Sequence, residues 1–312
     1  MLHTIIVGCD LSAPSDAAIE RAIGIALPHH ATIVLVHVHA TGVDVPISEI
    51  GNAMAARLGE ASEAVRAGEV AKLQARHAGL AALGLTIEVV VRSGPAGEVL
   101  GQVAAERSAD LIVVGTHGAT GITRFLLGSV AAETVRHAPC DVLVCRGPVT
   151  HGAFGRPLVA MDFSAAASRA LAHAVELATP EATIEVVHAW QLPAGSWGTN
   201  LLGLQSRFPW STVRDAVLES AKQQAATLVG THVALARPFH VELVQGPPAS
   251  TVTGVAERGG HDLIIVGTHG HRGFRRLLLG SVADGVIRHA PCSVLVVHGE
   301  HAGETAQFQR VT

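Results

Sequence analysis

Short apolar runs alternate along this chain with longer stretches of helical periodicity. In the first half, Ile5 to Cys9 and Thr32 to Val38 are continuous apolar runs, and Leu85 to Val91 is rich in β-branched residues. Leu111 to Val114 and Val142 to Cys145 complete five predicted strands. Between them the pattern turns helical. Ser12 is placed to cap a helix that carries Ala17, Ala18, Ile19 and Ile23. Ala53 to Leu83 reads as one long helix, and Val99, Leu100 and Val103 mark a face of a third. A fourth runs from Ser129 to about His137 and ends before Pro139. Strand and helix in alternation predict an α/β fold, a doubly wound parallel sheet joined by right-handed crossovers.

The pattern occurs twice. Residues 110–146 align without a gap on residues 262–298, an offset of 152, with 24 of 37 positions identical. The same offset carries Asp10 onto Asp162 and Gly94-Pro95 onto Gly246-Pro247, while an offset of 151 carries His37 onto His188. A unit this long is a domain rather than a solenoid repeat. The expectation is two tandem domains, 1–147 and 155–299. Strands of the second are expected near 157–162, 182–188, 240–245, 262–267 and 293–298.

Composition sharpens this in one respect. Hydrophobic residues make up 48% of the 312 and aromatics only 3%, with no Tyr, so the core must be aliphatic, as suits strands buried on both faces. A net charge of -4 gives no reason to expect nucleic acid or an anionic membrane as partner. The chain opens on a strand-like run rather than a signal peptide, and no apolar stretch approaches the ~20 residues of a membrane span. Cys9, Cys140, Cys145 and Cys292 show no CxxC spacing and read as small buried hydrophobes in a reducing cytoplasm.

Ligands of open parallel sheets bind beyond the carboxyl ends of the strands, where the winding reverses. Strand one ends at Asp10 and strand four at Gly115, followed by Gly115-Thr116-His117-Gly118, nine residues, then Gly128-Ser129 opening a helix. Glycines admit a phosphate close to the backbone, and a helix N-terminus supplies free N–H groups with partial positive charge. Ser129 adds a hydroxyl, and Asp10 suits a ribose hydroxyl or a divalent cation bridging phosphates. The bland alternative is that Gly115 and Gly128 serve only a turn and a helix start. Against it, the second copy keeps Gly267-Thr268-His269-Gly270, nine residues, then Gly280-Ser281, while the residues between vary.

These motifs resemble the ATP-binding branch of the universal stress protein family in tandem form, marked by G-x-x-G, nine residues, G-S/T. The resemblance covers nearly all of both halves, including the Asp after strand one, Asp10 and Asp162. In that family strand two ends in a His-Val pair whose Val backbone touches adenine; His37-Val38 matches, whereas the second copy has His188-Ala189. The resemblance implies an adenine nucleotide α-hydrolase-like fold with strand order 3-2-1-4-5. It also implies halves paired through their last strands as a pseudo-dimer, with a further homodimer open and a protein partner unknown. Residue reading and resemblance together select Asp10, Ser12, Val38, Gly115, His117, Gly118, Arg124, Gly128, Ser129 and Val130 as cofactor-binding. Their counterparts are Asp162, Ser164, Ala189, Gly267, His269, Gly270, Arg276, Gly280, Ser281 and Val282. ATP with Mg is the implied cofactor, the metal near Asp10 and Asp162.

The sequence favours holding nucleotide over turning it over. It has no GxxxxGK[ST] loop, no G-x-S-x-G elbow and no H-E-x-x-H. Arg124 and Arg276 are placed to reach a terminal phosphate or to stand solvated. No general base has a better claim than Asp10 or Asp162, so no catalytic residue is assigned and no enzyme is expected beyond slow ATP hydrolysis. The alternatives are an interaction protein with vestigial sites and an adenine-nucleotide-using transferase. The 19 histidines include no recognised metal spacing, and His137 and His289 are read as satisfying helix-end carbonyls. Trp190, Trp197 and Trp210 are expected between strand two and the long helix of the second copy.

Overall fold

The apolar runs of the first half become five parallel strands because helices cover both of their faces. In chain order these are β1 (Thr4–Gly8), α1 (Ala13–His29), β2 (Thr32–His39), α2 (Ile47–Ala81) and β3 (Ile87–Ser93). There follow α3 (Ala96–Glu106), β4 (Leu111–Gly115), α4 (Ser129–His137) and β5 (Asp141–Cys145). The computed structural model describes residues 1–39, 47–81, 83–116, 127–147, 153–191, 210–231, 239–268 and 279–298. The chain divides into two compact units, residues 1–152 and 153–312.

Strand order in the first unit is β3-β2-β1-β4-β5, all parallel, with Ile5 registered on Ile33 to one side and Leu111 to the other. Ile5, Ile6, Val7, Ile33 to Val36, Leu111 to Val114 and Val142 to Val144 are buried. The second unit repeats this with β6 (Pro157–Ala160), α5 (Ala165–Leu177), β7 (Ile184–Trp190), α6 (Trp210–Thr231) and β8 (Phe239–Gln245). It continues with α7 (Pro248–Gly259), β9 (Leu263–Gly267), α8 (Ser281–His289) and β10 (Ser293–Val297), in the order β8-β7-β6-β9-β10. The expected sheet order is therefore present in both halves.

Several boundaries moved. The first long helix begins at Ile47, earlier than the Ala53 expected, and β6 stops at Ala160, before the turn at Asp162. The second strand of the second unit runs on through Trp190, which is 8% exposed and belongs to the strand rather than to the connection after it. Trp210 opens α6, and Trp197 lies outside the described residues.

Each unit is fastened at the foot of its sheet by one aspartate. Asp110, just before β4, accepts from the backbone N–H groups of His3 (2.6 Å) and Thr4 (3.0 Å). Asp262 does the same for Gly155 (2.7 Å) and Arg156 (2.9 Å). Each carboxylate thus satisfies two donors at the start of the unit's first strand, fixing it beside β4 or β9. All four cysteines are buried and none forms a disulfide. Burial pushes the Cys140 and Cys145 thiols up to about 12, which makes both poor nucleophiles.

Candidate functional site

β1 and β4 are neighbours, but the chain leaves them in opposite directions, toward β2 and toward β5. The crevice of a doubly wound sheet opens at such a point. A cavity of about 280 Å³ lies there in the first unit. Gly8, Cys9 and Asp10 close one side, Val36 and Val38 of β2 another, and Ala96 and Leu100 of α3 a third. Val114, Gly115 and Thr116 end β4 against it, and Gly128, Ser129, Val130 and Ala131 bring in the start of α4. Of the residues selected by sequence, the fold gathers Asp10, Val38, Gly115, Gly128, Ser129 and Val130 around this one space.

The start of α4 presents backbone N–H groups to this cavity. Gly128 is its N-cap and supplies no side-chain hydrogen bond, so the N–H groups of the first turn lack a capping partner. They carry the positive end of the helix dipole toward the cavity. The helix is held in place by backbone bonds: Gly128 N–H donates to Thr116 O (2.7 Å), and Thr116 N–H donates to Cys145 O (3.2 Å). The second unit has the same frame, with Gly280 N–H on Thr268 O and Thr268 N–H on Val297 O, both 2.9 Å. Thr116 and Thr268 were not selected from the sequence, although both stand inside the shared Gly-Thr-His-Gly motif.

Asp10 sits in a turn of its own. The Ser12 N–H donates to its Oδ1 (3.0 Å), and the Ser12 hydroxyl donates to the same oxygen. Ser12 then caps α1 by accepting from Ser15 N–H at 3.4 Å. Ser12 is thus placed behind Asp10 as an orienting group. Leu11 between them has φ 64°, a left-handed conformation that costs a non-glycine residue on the order of 1 kcal/mol. Phe163 repeats it at φ 63°, and Ser164 repeats both the bond to Asp162 Oδ1 (3.0 Å) and the cap. The same local strain in both halves, at the same step after the aspartate, marks the turn as a device of the site.

Two of the motif glycines also answer to packing. A Cβ on Gly115 would stand 2.9 Å from the Pro14 carbonyl oxygen, and one on Gly280 would stand 2.7 Å from Thr268 O. Both contacts are with backbone, which cannot move aside as a side chain would.

In the second unit Asp162 and Ser164 follow β6, Ala189 lies in β7, Gly267 ends β9, and Gly280, Ser281 and Val282 begin α8. The N-cap Gly280 again adds no side-chain bond, but the first turn of α8 carries Asp284, where α4 has Ala132. His117, Gly118, Arg124, His269, Gly270 and Arg276 lie outside the described residues.

Histidines at the strand ends were read too simply from sequence. His37 Nδ1 lies 2.7 Å from the carbonyl oxygen of Cys9, and His188 Nδ1 lies 2.7 Å from that of Met161. Each imidazole ties the end of strand two to the end of strand one, so Val38 and Asp10 are held at a set spacing. His137 and His289 bond the carbonyls of Glu133 (3.0 Å) and Gly285 (2.8 Å), satisfying helix-end carbonyls as expected. Among the described residues no group of three or more His, Cys, Asp or Glu side chains is arranged to hold a metal ion. Among them, too, no helix is long and apolar enough to cross a membrane.

With this geometry in hand, comparison with known proteins is informative. The model of the universal stress protein family matches residues 1–146 and again 154–298. A universal stress protein of Mycolicibacterium smegmatis is 29% identical over 317 aligned positions, covering 95% of this chain and 97% of its own. One from Methanocaldococcus jannaschii is 34% identical over 96 positions, 31% of this chain and 56% of its own. Among solved structures, a universal stress protein from Archaeoglobus fulgidus superposes with a TM-score of 0.60 at 20% identity, covering 95% of this chain and 96% of its own. That likeness speaks for the fold.

Proposed function

The chain belongs to the universal stress protein family, and from that premise we propose that it is an ATP-binding regulatory protein of the stress response. It holds nucleotide and signals through its shape or its partners. One observation carries the reading: the uncapped start of α4 opens on a cavity that also presents Asp10 and Val38. That arrangement offers the three contacts a nucleotide requires. Backbone N–H groups and Ser129 take phosphate, Asp10 takes a ribose hydroxyl or phosphate-bound Mg²⁺, and Val38 offers backbone and aliphatic surface to the base. Residues that would hold Mg²⁺ are Asp10 and, in the second half, Asp162. Bound there, the ion would supply charge neutralisation for the phosphates.

Turnover is not what this site is built for. No lysine is near in sequence to either glycine motif, since the chain has only Lys72 and Lys222. Ser12 ties the one oxygen of Asp10 that faces it. Hydrolysis is expected to be slow at most, with nucleotide occupancy as the signal.

A second reading has its own support. Because Gly115 and Gly280 are also required by backbone packing, the glycine pattern would persist in an interaction protein whose sites no longer bind. Calorimetric titration of nucleotide-stripped, full-length protein with ATP and Mg²⁺ separates the two. A dissociation constant on the order of 10 μM, lost in a folded Gly118→Glu/Gly270→Glu variant, is the expected result. No heat at millimolar ATP would favour the interaction protein.

A further inference from the structure

On the other face of the sheet from the first cavity, β2 ends in a second polar cluster. Val36 and Val38 line the cavity, so strand alternation turns His37 and His39 toward α2. His37 is 5% exposed. A carbonyl only accepts, so the ring nitrogen 2.7 Å from Cys9 O must be the one that carries a proton. The other, Nε2, is buried and without a hydrogen bond, and it faces Glu69 Oε2 of α2 at 3.2 Å. The same carboxylate oxygen lies 2.8 Å from His39 Nδ1. Burial raises the Glu69 carboxyl, but the neighbouring His39 and His37 outweigh it and leave it below the ordinary carboxylate value.

Those facts conflict unless a proton is shared. An ionised Glu69 offers only lone pairs, and a neutral His37 whose Nδ1 proton serves Cys9 offers only a lone pair at Nε2. Two acceptors would then face each other. A proton on Nε2 resolves this: the imidazolium donates to Cys9 O and stands as an ion pair with Glu69 at 3.2 Å, joining β1, β2 and α2. The other charged groups packed here are already engaged. Arg76, two turns further along α2, pairs with Asp16 of α1 at 2.6 Å and donates weakly to Cys9 Sγ at 3.5 Å.

We propose that Glu69 is a positioning residue for the nucleotide of the first half, acting through His37 and linking that site's affinity to uptake of a proton. The proposal rests on reading the cavity as a nucleotide site. Protonation tightens the strand ends that carry Val38 and Asp10, and it places a positive charge beneath a polyanion's seat. Both effects strengthen binding as pH falls through the range where imidazoles titrate. The second half is made differently: the His188 ring packs on Phe163 with centroids 4.7 Å apart, and Trp190 stands where the first half has His39.

The test is calorimetric titration of the full-length chain with ATP and Mg²⁺ at about pH 6 and about pH 8. It is run in a Gly270→Glu background that silences the second site. The parent is expected to bind roughly fivefold more tightly at the lower pH. Glu69→Gln should bring that ratio below about twofold, and Glu69→Asp should restore part of it. ATP's own protonation is common to all variants and cancels in the comparison. If Glu69→Gln fails to fold, His37→Asn keeps a donor for Cys9 O without a titrating ring, and it too should flatten the pH profile. A Glu69→Gln or His37→Asn profile as steep as the parent's overturns the proposal and leaves the nucleotide reading standing. A parent that binds at neither pH overturns the nucleotide reading itself.

Discussion

Laid over each other, the two halves agree where backbone meets backbone and differ where side chains meet a ligand or a proton. Both have the aspartate at the foot of the sheet, the left-handed residue after the strand-one aspartate, and the imidazole that ties the strand ends. They part at the helix start, where Ala132 faces Asp284, and at the end of the second strand, where Val38 and His39 face Ala189 and Trp190. Each half also buries a histidine against a carboxylate, but at opposite ends of its sheet. His37 meets Glu69 beside the cavity, whereas His261 bonds Arg156 O at 3.0 Å and meets Glu185 at 3.3 Å at the foot. The pair in the first half therefore stands by the cavity, and the pair in the second stands in the frame. The lesson is that duplication preserved the scaffold and left each ligand end free to be tuned.

If the frame is shared, breaking it should cost both halves alike. Asp110→Ala and Asp262→Ala each strand two backbone donors, and each is expected to destabilise its own half by about 2–3 kcal/mol. Urea unfolding followed by a probe in each half would show this as one early transition per variant. A loss in only one of the two variants would mean that the two feet are not equivalent.

The helix start is where the halves should first diverge in binding. A carboxylate in the first turn competes with an incoming phosphate for the same positive helix end, and Asp284 is only partly neutralised by Arg288, which it meets at 2.9 Å. Asp284→Ala should tighten ATP at the second site about three- to fivefold, and Ala132→Asp should weaken the first by a similar factor. Titrations with the opposite site silenced would read each effect separately. Unchanged constants in both would remove the helix start as the source of any asymmetry.

Much of this was legible in the chain itself. Continuous β-branched runs and Gly-Pro punctuation located the strands, because a strand buried on both faces cannot alternate. The internal duplication then paired Asp10 with Asp162 and Gly128 with Gly280. What stayed hidden were contacts between residues distant in sequence. Nothing near Glu69 in the sequence points to His37, since the two are joined only when α2 folds back on β2. The foot aspartates were equally silent, as Asp110 serves residues more than a hundred positions away. Leu11 and Phe163 carry no glycine signal, so their left-handed turn was unreadable from residue type. Trp190 was placed in a connection because aromatic residues near a predicted strand end do not say which side of it they occupy.

The smallest expected difference is the one first visible in the sequence, Val38 against Ala189. Both lie near the end of strand two and are partly exposed, so only part of the valine's extra aliphatic surface is removed from water by a base lying over it. Full burial of the two added carbons would be worth about 0.8 kcal/mol for each, and partial burial less. A backbone contact to the base would survive either residue. Ala189→Val should therefore tighten the second site only about twofold, and Val38→Ala should loosen the first to the same extent. With the helix-start change in place as well, the two effects should add, because Ala189 lies in β7 and Asp284 in α8. If the double variant Ala189→Val/Asp284→Ala still binds far more weakly than the first site, the remaining gap lies with the His37–Glu69 pair, which the second half lacks among its described residues at this end of its sheet. It would then narrow at about pH 8 and widen at about pH 6.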